Sequence, residues 1–100
     1  MLKISIVDRP RQRRLILEGK LIVPWTTELR SFFAKIRADL DGRELVIEMK
    51  QLTAISQEGE NFLLDLMRDG IAVRSGDVFS KHILAQLSRR LRRELQGTTS

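Results

Sequence analysis

Apolar residues at the start of the chain recur at every second position, Leu2, Ile4 and Ile6 alternating with Lys3, Ser5 and Val7. A period of two sends alternate side chains to opposite faces of a strand, so the first strand is predicted here. Asp8, Arg9, Pro10, Arg11 and Gln12 read as a turn, with proline presetting its own φ. Residues 13–18 then return as a second strand and close a hairpin. Gly19 permits a bend or bulge, and Lys20, Leu21, Ile22 and Val23 follow as a third strand or as a bent continuation of the second.

The period changes after Pro24 and Trp25. Leu29, Phe32, Phe33, Ile36 and Leu40 follow helical spacing, with Thr26 as the predicted N-cap and Glu28 favouring the positive end of the helix dipole. Asp41 and Gly42 end that helix. Leu45, Val46, Ile47, Glu48 and Met49 form a short run rich in β-branched residues, as a buried strand does. Helical spacing returns with Phe62, Leu63, Leu66 and Met67, predicting a helix over 56–69 stopped by Gly70. Residues 71–74 read as a strand, and Ser75, Gly76 and Asp77 as a turn. A last helix, starting near Asp77 or Ser80, carries Phe79, Ile83, Leu84, Leu87 and Leu91 towards Leu95.

The predicted order is β-β-β-α-β-α-β-α, one α/β domain over 1–96 with a frayed tail over 97–100. Strand–helix–strand units with short connections demand right-handed crossovers between parallel strands, and the opening hairpin adds an antiparallel edge. The sheet should therefore be mixed and covered by three amphipathic helices. The chain is organised around 45–67, where a strand delivers Ala54, Ile55, Ser56, Gln57, Glu58 and Gly59 onto a helix start. The predicted form of that delivery is a polar loop, a place where α/β proteins commonly carry binding groups.

Composition narrows the chemistry. The 100 residues contain no cysteine, which removes disulfides, thiolate metal sites and cysteine nucleophiles. Apolar runs are far too short to span a membrane, and the N-terminal alternation is not a secretion signal. A cytoplasmic protein is the expectation. The lone histidine, His82, has no second histidine to pair with and is read as solvent-facing. Asp65 and Asp69 share one helix face, where a solvated acidic stripe outweighs a catalytic pair. No glycine-rich phosphate loop occurs, and Ser56 has no positioned base, so its favoured role is helix N-cap. No enzyme constellation, metal site or cofactor is expected.

Two further features remain. Trp25, beside the first helix, is read as core or half-buried, with a surface anchor as the sharper alternative. The excess of 18 basic over 13 acidic residues gives a formal charge of +5, and arginines gather in two clusters, Arg9, Arg11, Arg13 and Arg14, and Arg89, Arg90, Arg92 and Arg93. Neither cluster contains an aromatic residue for base stacking, so a solvated, partner-facing surface is preferred over nucleic-acid recognition.

Leu17-Glu18-Gly19-Lys20-Leu21 resembles the L-x-G-x-L pattern of the STAS domain, the fold of bacterial anti-sigma factor antagonists and of the cytosolic domains of sulfate transporters. Leu45-Val46-Ile47-Glu48-Met49 is similar to its central V-V-L-D-L strand, with Glu48 at the usual aspartate. Residues 55–59, followed by Phe62, Leu63 and Leu64, resemble its I-D-S-S-G loop and leucine-rich helix. In the anti-sigma antagonists that loop is a switch, whose serine is phosphorylated by a kinase that is also the anti-sigma factor. Aligned on Gly59, Ser56 takes the aspartate position, Gln57 the phosphoacceptor and Glu58 the second hydroxyl, so the acceptor hydroxyl is missing. Ser56 stands one position out of register for that role, and Ile22 replaces the aspartate after G-x-L.

The resemblance implies a non-catalytic bacterial interaction module whose partner loop is Ser56, Gln57, Glu58 and Gly59, extended by Trp25 and Thr26. Its partner would be an anti-sigma factor that is a serine kinase, met without the usual phospho-serine switch. A second expectation is an accessory STAS subunit docking the ATPase of a lipid-transport ABC system. A third, ranked lower, is binding of nucleic acid or an anionic membrane through Arg89, Arg90, Arg92 and Arg93. A homodimer is left open.

Overall fold

A computed structural model describes residues 1–97. Seven elements follow one another: β1 (Leu2–Asp8), β2 (Gln12–Leu21), α1 (Trp25–Ala38), β3 (Glu44–Ile55), α2 (Gln57–Arg68), β4 (Ala72–Ser75) and α3 (Val78–Gly97). The strands form one sheet in the order β1-β2-β3-β4. β1 runs antiparallel to β2, while β2, β3 and β4 are parallel. The mixed sheet, its antiparallel edge and its three helices agree with the sequence reading.

The separate third strand does not exist. Gly19 takes φ +99° and shifts the register against β3, so β2 continues through Lys20 and Leu21. A β-carbon at Gly19 would strike the Met1 carbonyl oxygen, which accepts the Lys20 N–H at 3.1 Å. The order is therefore β-β-α-β-α-β-α. β3 is also far longer than the apolar run 45–49. Gln51 at φ +52° helps it absorb extra residues, moving the pairing from Leu17–Met49 to Gly19–Leu52 and Lys20–Ala54. Lys50 and Gln51 hid this continuation because their polarity reads as the end of a strand.

Consecutive parallel neighbours joined by right-handed crossovers place every connecting helix on the same side. Leu15, Leu17, Leu45, Ile47 and Met49, which share the covered face, pack with Leu29, Phe33, Ile36, Phe62, Leu63, Leu66, Ile83 and Leu87. Phe33 and Phe62 meet edge to face, with centroids 5.6 Å apart and planes at 89°. On the opposite face Val46 is buried, whereas Val7, Arg14, Ile16, Glu48 and Ala72 around it are half-buried. No helix of the described residues covers that face, and the stem of Arg14 contributes apolar cover there.

Helix boundaries depart from expectation at both ends of α1, which stops at Ala38 with Asp39 as its C-cap, so Leu40 and the predicted stop at Asp41 and Gly42 lie beyond it. Pro24 occupies the N-cap position of α1 without a side-chain cap, and Thr26 is 2% exposed inside the first turn, so Thr26 is not the cap. Its N–H bonds the Ile22 carbonyl at 3.1 Å. Phe32 is exposed, because adjacent helical residues point about 100° apart and Phe33 takes the core direction. Gly70 stops α2 at φ +78° as predicted, with Gly70 and Ile71 N–H groups bonding Met67 and Leu66. α3 includes Gly97, which the sequence assigns to the frayed tail, and residues 98–100 of that tail lie outside the described residues.

Asp65 and Asp69 are not a solvated stripe. Arg30 of α1 bonds Asp65 at 3.0 Å and Arg37 bonds Asp69 at 3.0 Å, and Arg68 joins Asp65 to Glu94 of α3, each at 2.8 Å. At the other end of the molecule, Arg13 and Arg43 grip Asp8 at 2.7 and 2.9 Å. The Arg13 hydrogen bond holds the Asp8 carboxyl below the ordinary carboxylate range, and the Arg68 hydrogen bond does the same for Glu94. A carboxyl group depressed in the folded state stabilises above its unfolded pKa and loses that contribution as pH falls through its folded pKa. The denaturant midpoint should hold steady from neutrality to about pH 5 and fall below about pH 4. Arg68→Gln should flatten that acid decline; an identical decline in wild type and variant would refute the assignment to Glu94.

Candidate functional site

β2 and β3 end side by side, with Leu21 opposite Ile55, and the loop predicted over 54–59 is reduced to one residue. Ala54 and Ile55 finish β3, Ser56 is the link, and Gln57, Glu58 and Gly59 already belong to α2. The Leu21 carbonyl oxygen governs this junction. It accepts the Ser56 N–H at 3.0 Å and the Ser56 hydroxyl at 3.5 Å. The same Ser56 oxygen accepts the Gly59 N–H at 3.2 Å, which makes Ser56 the N-cap of α2.

Gly59 is buried here for a steric reason. A β-carbon would lie 2.5 Å from the Leu21 oxygen and 2.9 Å from Ile55 Cγ1. The absence of a side chain lets the first turn of α2 sit directly on the end of β2. Gln57 and Glu58 are exposed on the outer side of that turn. Gln57 donates to Asn61 Oδ1 at 3.1 Å, while Glu58 has no hydrogen bond or ion pair among the described residues. The result is a short polar ledge on a close-packed seat.

The expected extension of the ledge consists of Trp25 and Thr26. Thr26 is buried. Trp25 is half-buried against the core and, with Leu2, Ile4, Glu28 and Phe32, lines a groove of about 340 Å³ between α1 and β1. The side of α1 that meets α2 carries Arg30, Phe33 and Arg37 instead. This groove escaped the sequence reading, although the neighbouring pair Phe32 and Phe33 held its signal, since both cannot face one core.

The arginine clusters divide. Arg13 is consumed by Asp8 and Asp39, and Arg14 lies 3.9 Å from Glu48, which leaves Arg9 and Arg11 exposed at the turn. In α3, Arg90 approaches Glu60 of α2 at 3.7 Å and so brings the basic helix beside the ledge. Arg89, Arg92 and Arg93 are exposed. His82 is exposed and contacts Gln86 at 3.2 Å. Among the described residues no three His, Asp or Glu side chains converge as metal ligands, and no helix is long and apolar enough to cross a membrane. No protein-family model and no curated protein matches this chain.

Gly59→Ala should destabilise the protein by about 2 kcal/mol, the overpacking at Leu21 exceeding the helix propensity that alanine adds. Ser56→Ala should cost about 1 kcal/mol, and Ser56→Asp, which keeps a capping oxygen, should lose far less. Equilibrium denaturation of the three variants checks this ordering; wild-type stability in Gly59→Ala would overturn the close approach.

Proposed function

We propose that this chain is a STAS-type, non-catalytic interaction module that docks a protein partner on the ledge formed by Gln57 and Glu58. The observation that supports this reading is a close-packed, capped seat beneath an exposed polar turn. Gly59 presses α2 onto Leu21, Ser56 caps the helix, and the two outward residues are left to meet a partner. The strand order and the parallel β2-β3-β4 set are compatible with the STAS layout, and the residues around Gly19, Glu48 and Gly59 carry the sequence resemblance.

The partner on this reading is an anti-sigma factor of the serine-kinase type, and the module works without the usual switch. Gln57 cannot accept a phosphoryl group. The Ser56 hydroxyl is half-buried and occupied by Gly59 and Leu21, so phosphorylation there would require the cap to open. Glu58 supplies a constant negative charge, smaller than the about −1.5 to −2 that a phosphoserine carries.

Co-purification from the source cell should recover such a kinase with the wild-type chain. Gln57→Arg combined with Glu58→Arg should lower its recovery at least about tenfold by placing like or mismatched charge at the contact. Equal recovery by the variant removes the ledge from the interface. Recovery of an ABC ATPase in place of a kinase would transfer the module to lipid transport. Intact mass after incubation with ATP and the recovered kinase should remain unchanged; addition of one phosphoryl group at Ser56 would restore a switch.

A further inference from the structure

The arginines of the helices differ in their partners. Arg30, Arg37 and Arg68 each hold a carboxylate at 3.0 Å or less. Arg89, Arg92 and Arg93 hold none among the described residues. Two of these three lie at one place. Arg89 and Arg93, together with Gln86, Arg90 and Glu60, line a concavity of about 380 Å³ between α3 and α2. Positions 86, 89, 90 and 93 are spaced three and four apart, so one face of α3 delivers all four donors.

The lining is unbalanced. Three guanidinium groups and one carboxamide supply hydrogen-bond donors, and Glu60 is the single carboxylate. Glu60 stands 3.7 Å from Arg90, a loose pairing that leaves the cleft with a surplus of two positive charges. Arg89 and Arg93 are also like charges one helical turn apart, a spacing that is mildly unfavourable unless an anion sits between them. Guanidinium forks match the oxygens of a phosphate group in plane and spacing, and charge-assisted bonds of this kind are the strong ones. Arg92 is outside the lining, so the run of arginines in the sequence divides into three that form the cleft and one that does not.

We propose that this cleft is a binding site for a phosphate-class oxyanion, held by Arg89, Arg90 and Arg93 with Gln86 as a neutral donor. The site is independent of the ledge at Gln57 and Glu58 and does not need the STAS reading. Its ligand is a phosphorylated small molecule or the phosphate headgroup of a lipid, two sources of one chemistry. Glu60 competes with that ligand for Arg90, which ties the occupancy of the cleft to the α2–α3 contact.

The whole chain would be titrated with inorganic phosphate, pyrophosphate and vesicles containing phosphatidic acid, at low and high salt. Saturable binding is expected, with pyrophosphate tighter than phosphate. Arg89→Gln with Arg93→Gln should weaken it at least about tenfold, while Arg9→Gln with Arg11→Gln, which removes the same charge from the β1–β2 turn, should change it less than about twofold. Glu60→Gln should tighten binding about threefold by freeing Arg90, an outcome that a purely structural Glu60 would not produce. Preference for vesicles over the soluble anions assigns the site to a lipid headgroup, and the reverse assigns it to a small phosphorylated ligand. Three results would overturn the proposal. These are no saturable binding to any of the probes at low salt, equal weakening by the two arginine pairs, or binding to duplex DNA that pyrophosphate does not displace.

Discussion

The carbonyl oxygen of Leu21 is the point on which the candidate docking region depends. It closes β2 against the Ser56 N–H, takes the Ser56 hydroxyl, and lies where a β-carbon of residue 59 would have to go. One backbone acceptor therefore sets where β3 stops, where α2 begins and how closely the helix sits on the sheet. Moving any of the three residues moves the others, because the hydrogen bonds and the steric limit share an atom. A helix start fixed in this way keeps Gln57 and Glu58 outward without a loop to position them.

Charge is spent on this molecule in two different manners. Arg30, Arg37 and Arg68 tie the three helices together on the outside of the core, each through an aspartate or glutamate of a neighbouring helix or turn. Individually such exposed pairs are weak, and their linkage through Asp65 and Arg68 makes them a network rather than isolated contacts. The second half of α3 breaks that habit. There Arg89, Arg90 and Arg93 line a concavity that holds one loosely paired glutamate. The sheet face away from the helices follows a third pattern, in which Arg14 and Glu48 flank the buried Val46 and lend it their apolar stems.

Much of the fold was legible because its elements obey simple periods. The alternation of Leu2, Ile4 and Ile6, the helical spacing of Leu29, Phe33 and Ile36, and the stop at Gly70 are local signals, and each element stands where they placed it. Errors gathered where a local signal had two meanings. Gly19 marks either a break between strands or a bulge within one. Lys50 and Gln51 look like a strand end and are a bulge in a twelve-residue strand. Thr26 has the chemistry of a cap and the burial of a core residue.

The candidate site shows the same division. Sequence alone determined that Ser56 is suited to cap a helix, that Gln57 carries no hydroxyl and that α3 bears a dense run of arginines, since these are properties of residue types and short spacings. Only the tertiary structure decided that Gly59 lies against Leu21, that Asp65 and Asp69 serve Arg30 and Arg37, and that Arg90 reaches Glu60. Each of these joins residues about thirty or more positions apart in the sequence. Their proximity comes from the crossover path and the offset between helices, and no local period of the chain encodes that offset.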